Sequence, residues 1–104
     1  MPAKVNLIYL TPATEDMQEI VKFHILEVGT EPARKIYQTL RDEINRLQEF
    51  PLLGQVHPDP KLAALGYRKL VLTRTYVAVY KITDGTIYVY RVVNGKTNYS
   101  KLLK

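Results

Sequence analysis

The sequence contains no cysteine. Disulfide bonds, thiolate-bound zinc and thiol nucleophiles are therefore excluded. His57 lies in a proline-rich loop and has no second ligand at metal spacing, and no glycine-rich phosphate loop is present. We therefore expect neither a metal nor a cofactor, and no small-molecule substrate.

Long apolar runs are also missing. No stretch approaches the ~18 apolar residues that a membrane-spanning helix needs, and no secretory signal precedes the first predicted strand. We therefore expect a cytoplasmic protein without membrane contacts. The 104 residues, of which 46% are hydrophobic, suffice for one two-layer core, which predicts a single domain over residues 1–104.

Acidic residues are scarce in the second half of the chain. Residues 51–104 contain nine Lys/Arg and two Asp/Glu, a net charge of +7, whereas residues 1–50 contain six and eight, a net charge of −2. Such a basic half favours an acidic partner, either nucleic acid or an acidic protein surface. The alternative is a soluble domain whose lysines serve only solubility.

The first half predicts one strand and two helices. Residues 4–10 are short and rich in Val, Ile and Tyr, which favours a strand. Apolar residues at helical spacing run through residues 17–28 and, after Gly29, through residues 33–47, which predicts a helical hairpin. Asp16 is placed to meet the positive end of the first helix dipole.

The second half predicts a hairpin-rich sheet. Residues 51–66 contain three prolines and predict a loop with a short helical turn at Lys61–Leu65. Three strands are predicted to follow, at Tyr67–Thr73, Tyr76–Ile82 and Thr86–Val93. Asp84-Gly85 suits a type I′ turn. With that turn, the expected cross-strand pairs are Ile82 with Ile87, Tyr80 with Val89 and Ala78 with Arg91.

Both faces of this sheet are apolar near the middle, so both need a cover. The helices supply one cover, and a partner chain is a candidate for the other. The predicted fold class is α+β with the order βααβββ, a helical hairpin packed on a small antiparallel sheet whose first strand is N-terminal. A homodimer through the helices is left open.

Three segments in this order resemble the RelE/ParE superfamily of bacterial type II toxins. They are LQEFPLLGQ (residues 47–55), GYRKLVLTRTYVAVYKI (residues 66–82) and YRVVNGKTNYSKLL (residues 90–103). The resemblance covers nearly the whole chain. It implies a growth-inhibiting toxin that a cognate antitoxin neutralises with an amphipathic helix or an added strand.

The RelE-like branch of this superfamily consists of ribosome-dependent mRNA endonucleases. The resemblance implies several basic side chains on the sheet and a C-terminal Tyr or His for acid–base catalysis. Arg68 matches one basic position, but the other expected residues fall at Leu70, Val77, Thr97 and Leu103. Aliphatic side chains cannot stabilise charge on a phosphoryl group. This chain therefore departs from the RelE pattern.

The ParE-like branch acts on DNA gyrase and is the closer match. Residues 93–99, VNGKTNY, followed by Leu102 and Leu103, fit its C-terminal turn, with Asn94 where His is frequent. The resemblance thus implies a toxin that binds and poisons gyrase and supports plasmid stabilization. The alternatives are an mRNA endonuclease acting on the ribosome with Arg68, Lys96 and Tyr99 as its catalytic set, or a non-toxic antitoxin-binding member.

Five residues are the candidates for target binding under the gyrase hypothesis. They are Arg68, Arg74, Lys96, Asn98 and Tyr99. Three of them also have a structural interpretation: an ion pair for Arg68, a solvated turn for Arg74, and for Tyr99 a packing residue that holds the C-terminal segment on the sheet. Arg91 is expected to pair with helix carboxylates, and His24 to be a half-buried packing residue.

Overall fold

The structure is a computed structural model that describes residues 4–103. Its elements are β1 (Asn6–Tyr9), α1 (Thr11–Val28), α2 (Thr30–Asn45), β2 (Gln55–Val56), α3 (Pro60–Ala64), β3 (Arg68–Val71), β4 (Tyr76–Thr83) and β5 (Thr86–Asn94). Short 3-10 turns lie at Arg46–Gln48 and Ser100–Leu102. None of these helices is long and apolar enough to cross a membrane.

The predicted helical hairpin is confirmed. Gly29 alone separates α1 from α2, and its φ of +89° lies in the region that favours glycine. The amide of Gly29 donates to the carbonyl of Ile25, and its own carbonyl accepts from Ala33. One glycine therefore ends the first helix and starts the second.

The predicted α+β class is confirmed, but the sheet is mixed, whereas the sequence predicted an antiparallel one. Its strand order is β1-β5-β4-β3-β2, with β1 parallel to β5 and every other pair antiparallel. The two-residue strand β2 was not predicted.

The β4–β5 hairpin follows the predicted register only near its turn. Asp84 and Gly85 both have positive φ, at 50° and 75°, as a type I′ turn requires. Ile82 opposes Ile87 and Tyr80 opposes Val89, as predicted. A bulge then shifts the pairing, so that Ala78 opposes Val92, and Arg91 opposes Val79. The expected pairing of Ala78 with Arg91 was wrong.

The sheet has an inner face, packed on α1 and α2, and an outer face. The inner core includes Met17, Leu40, Ile44, Leu47, Ala78, Tyr80, Ile87 and Val89. The outer core consists of Leu62, Tyr67, Val77, Val79, Val93, Tyr99 and Leu103, with Tyr90 packed against it. Leu62 comes from α3, and Tyr99 and Leu103 come from the C-terminal segment (residues 95–103). The chain therefore covers its outer face with its own residues, a cover for which the sequence offered a partner chain as the candidate.

Arg91 joins β5 to the helices, as predicted. Its Nε and Nη2 donate to the two carboxylate oxygens of Asp16, each at 2.7 Å. The amide of Val92 donates to the same carboxylate at 3.0 Å. The hydrogen bonds that Arg91 donates to Asp16 raise its pKa, as do the charges of Asp16 and Glu15, and burial opposes them in part. The sequence predicted that Asp16 meets the positive end of the α1 dipole. In the structure, its carboxylate instead connects α1 to β5.

Candidate target-binding surface

The C-terminal turn is built around Asn94. Its side-chain oxygen accepts from the amide of Lys96 at 2.9 Å, and its carbonyl accepts from the hydroxyl of Thr97 at 2.7 Å. The amide of Gly95 donates to the carbonyl of Thr75, which ties this turn to the β3–β4 turn. A Cβ on Gly95 would lie 3.0 Å from a methyl group of Val77, so a larger residue at position 95 would require Val77 to shift.

Lys96 and Arg74 are exposed near each other at one end of the sheet. Lys96 follows the glycine that is bonded to Thr75, and Arg74 precedes that threonine in the chain. The hydroxyl oxygen of Thr73 accepts from the amides of Thr75 and Tyr76, which orders the turn that carries Arg74. Two candidate cations are thus held on ordered turns with their side chains in solvent.

Tyr99 is buried, with 7% of its surface exposed, and its hydroxyl lies 2.8 Å from Nε2 of His57. The amide of Asp59 donates to Nδ1 of His57 at 3.0 Å. Because Nδ1 accepts, a neutral His57 carries its proton on Nε2 and donates it to the oxygen of Tyr99. Tyr99 is thus a packing residue in this structure, and its hydrogen bond to His57 holds it in place.

Burial and charge keep both rings of this pair neutral. Burial and the Lys69 cation lower the pKa of His57 below its usual value of 6.5, and Asp59 offsets part of this effect. Burial and the nearby Asp59 carboxylate raise the pKa of the Tyr99 phenol. Near neutral pH, the pair is therefore an uncharged hydrogen bond rather than an ion pair.

A polar hollow of about 360 Å³ opens beside this pair. It is lined by His57, Pro58, Asp59, Lys69, Thr97, Asn98, Tyr99 and Ser100. The side-chain oxygen of Asn98 accepts from Ser100 at 3.1 Å, which leaves the amide nitrogen of Asn98 available as a donor. The hollow brings together Asn98 and Tyr99 of the predicted set, with Lys96 on the adjoining turn.

Arg68 lies apart from that group. It opposes Tyr80, whose ring belongs to the inner core. Its Nε and Nη2 donate to the carbonyl of Gly54 at 3.1 and 2.7 Å, and the amide of Gly54 donates to the Tyr80 hydroxyl at 3.0 Å. The Tyr80 hydroxyl in turn donates to the carbonyl of Pro51 at 2.8 Å. Arg68 thus holds the loop before β2 in place.

Residues 7–99 match the family described as the ParE toxin of the ParDE type II toxin–antitoxin system. The match spans most of the 104 residues. The chain belongs to the ParE toxin family. No curated protein sequence matches significantly.

Solved structures similar to this ParE family member share its fold. A chain of the chromosomal ParDE toxin–antitoxin system from P. aeruginosa superposes with a TM-score of 0.75 at 22% identity, over 88% of this chain and 96% of that chain. The RelBE2 toxin–antitoxin complex from Mycobacterium tuberculosis gives 0.63 at 21% identity, over 88% and 98%. The DinJ–YafQ toxin–antitoxin complex from E. coli gives 0.59 at 18% identity, over 97% and 99%.

Three of the four residues that depart from the expected RelE pattern are buried and aliphatic in this ParE family member. Leu70, Val77 and Leu103 retain 6%, 4% and 3% of their surface exposed. Leu70 packs in the inner core, whereas Val77 and Leu103 pack in the outer core. Thr97 is exposed but neutral. The three aliphatic side chains therefore contribute to the packing of the two cores.

Two residues of the hollow were missed from the sequence. Lys69 opposes Val79, a residue of the outer core, so its side chain shares the outer face. The alternation of side chains along β3 places Lys69 on the face opposite to Leu70, a signal that the sequence did contain. His57 lies in a proline-rich loop and has no periodicity to reveal its contact with Tyr99, 42 residues away.

Proposed function

We propose that this toxin inhibits growth by binding and poisoning DNA gyrase rather than by cutting RNA. The observation that supports this most directly is the replacement of nuclease positions by the buried aliphatic residues Leu70, Val77 and Leu103. Removing even one group that stabilises developing charge costs about 10²–10³ in rate. The exposed residues Arg74, Lys96 and Asn98 are then contacts for the target.

The partner that neutralises the toxin is a cognate antitoxin. Its proposed binding site is an apolar groove of about 480 Å³ on the helical hairpin. The groove is lined by Gln18, Val21, Lys22, Ile25, Thr30, Arg34 and Tyr37. Lys22 and Arg34 flank the apolar floor, and their ion pairs with Glu19 and Glu31 are exposed and 3.6 Å long. Such pairs are weak. The groove therefore fits an amphipathic helix whose apolar stripe is bordered by acidic residues.

Ribosome-dependent cleavage of mRNA is the second candidate function, and the His57–Tyr99 pair favours it. A histidine hydrogen-bonded to a tyrosine, beside the Lys69 cation and in an open hollow, has the elements of acid–base catalysis next to a phosphate. In that case Tyr99 carries the proton and Lys69 contacts the phosphate. A non-toxic member that only binds its antitoxin is the third alternative.

Two assays on the purified protein separate these functions. One measures supercoiling of relaxed plasmid by purified gyrase, and the other measures cleavage of mRNA on translating ribosomes. Inhibited supercoiling with intact mRNA supports the proposal. Cleaved mRNA with unaffected gyrase contradicts it and selects the nuclease. Inactivity in both assays, together with normal growth on expression, selects the non-toxic member.

A further inference from the structure

The charges of this protein are divided between its two layers. Eight of the ten acidic residues lie in residues 1–50, which contain β1 and both long helices. The outer layer consists of α3, the C-terminal segment (residues 95–103) and the outward side chains of the sheet. Only Asp59, at the start of α3, and Asp84, in the β4–β5 turn, lie in residues 51–104. The outer layer is therefore almost purely basic.

Five lysines supply the positive charge of this layer. They are Lys61 on α3, Lys69 on β3, Lys81 on β4, and Lys96 and Lys101 on the C-terminal segment. Within residues 4–103, none of them forms a salt bridge, whereas the four salt bridges found there all involve acidic residues of the helices. Salt bridges among the residues that the structure describes therefore leave these five charges unpaired.

Of the two acidic groups in residues 51–104, Asp59 lines the hollow, and its charge partly offsets that of Lys69 there. One carboxylate oxygen of Asp59 accepts from the amides of Lys61 and Leu62, at 2.8 and 3.3 Å, and so starts α3. Asp84 lies in the β4–β5 turn, at the end of β4 opposite to the β3–β4 turn. The polar hollow adds Lys69 and the amide donor of Asn98 to the same face. These groups are donors for phosphate oxygens.

Three aromatic rings in or against the outer core are poorly placed to stack on bases. Tyr67 and Tyr99 are 4% and 7% exposed. Tyr90 is half-buried, and its ring meets Tyr67 edge-on with centroids 5.0 Å apart. The ammonium of Lys81 lies 4.3 Å from the Tyr67 centroid and 5.2 Å from that of Tyr90. Proteins that bind single-stranded nucleic acids stack the bases on exposed aromatic rings. This surface is therefore better suited to the backbone of a duplex.

We infer that the outer layer binds the sugar–phosphate backbone of duplex DNA without sequence preference. The choice of DNA rests on the proposed function, because gyrase acts on duplex DNA. The toxin would then hold the enzyme and its DNA together, with Lys69 and Lys96 as central phosphate contacts. Lysines that neutralise phosphates release counterions, so the affinity falls steeply with salt.

Fluorescence anisotropy of a labelled duplex with the full chain alone tests this inference. The double variant Lys69→Gln/Lys96→Gln should weaken binding at least tenfold, and should reduce the slope of log affinity against log salt by about 0.9 for each phosphate that is no longer neutralised. The control, Lys22→Gln/Lys35→Gln, removes the same charge from the helices and should change neither. Thermal unfolding verifies that both variants are folded.

Three outcomes would overturn the inference. They are no duplex binding at low salt, equal weakening by the two double variants, and tighter binding of a single-stranded RNA of the same length. Because gyrase is absent from this measurement, its result is separate from the supercoiling assay. Duplex binding without inhibition of gyrase contradicts the proposed function alone, and inhibition without duplex binding contradicts this inference alone.

Discussion

Nε2 of His57 lies 2.8 Å from the hydroxyl oxygen of Tyr99, and this hydrogen bond joins the loop after β2 to the C-terminal segment across 42 residues. Both side chains are 7% exposed. The bond thus fixes the segment that carries Lys96 and Asn98 over the outer core. The position of the candidate target contacts depends on a pair of residues that are themselves buried.

Tyr99→Phe should destabilise the protein by about 1–3 kcal/mol, because the Nε2–H of His57 loses its buried acceptor. Urea unfolding measures this change. Tyr88→Phe is the matched control, since Tyr88 is half-buried on β5 and its hydroxyl has no hydrogen bond within residues 4–103. Equal effects of the two variants would show that the His57 contact contributes little.

The stability should decrease as the pH falls below 6.5. Burial and Lys69 lower the pKa of His57 from 6.5, so the unfolded chain takes up this proton at a higher pH than the folded chain does. The contribution of His57 is thus complete above 6.5 and is lost as the pH falls from 6.5 through its folded pKa. Asp59, Lys69 and Tyr99 are the titratable groups that face it.

His57→Gln tests this pH dependence directly. Glutamine retains a donor for the Tyr99 hydroxyl but does not titrate. Urea unfolding on both sides of pH 6.5 should show a smaller decrease in stability on acidification for His57→Gln than for the wild type. An identical decrease would place the titrating group elsewhere.

Asp16→Ala should destabilise the protein by about 2–4 kcal/mol, because it leaves a partly buried guanidinium and the amide of Val92 without their acceptor. Glu19→Ala, which breaks an exposed ion pair with Lys22, should cost under about 1 kcal/mol. Chemical unfolding compares the two. A double-mutant cycle with Arg91→Ala should give a coupling energy well above zero, and additivity would contradict the proposed link between α1 and β5.

Ile25→Glu should abolish neutralisation by the antitoxin and leave the toxin active, because it places a charge on the apolar floor of the groove. Co-purification of the toxin with its cognate antitoxin measures the binding. Leu65→Glu, at an exposed leucine of the outer layer, is the control and should retain the antitoxin. Full binding by Ile25→Glu would place the antitoxin on another surface.

The parts of the fold that the sequence predicted are those with local signals. Gly29 marked the turn of the helical hairpin, and Asp84-Gly85 marked the β-hairpin with its register as far as Tyr80 and Val89. The bulge beyond Tyr80 was missed because no glycine or other local signal accompanies it. The strand β2 was missed because two residues are too short to show alternation.

Contacts between distant residues account for what the sequence did not reveal about the candidate surface. Asn98 and Tyr99 were found from the C-terminal turn, but their neighbours His57 and Lys69 come from other elements. Arg68 was selected as a functional cation, and only the structure places its guanidinium on the carbonyl of Gly54. Whether Arg68 also contacts the target stays a prediction.

The most direct test of gyrase poisoning is a titration of gyrase supercoiling with the wild-type toxin and Tyr99→Phe, beside mRNA cleavage by the same samples. If Tyr99 serves packing alone, both proteins should inhibit supercoiling at equal folded concentration, and neither should cut mRNA. Cleavage by the wild type that disappears in Tyr99→Phe, with supercoiling unaffected by either protein, would contradict gyrase as the target.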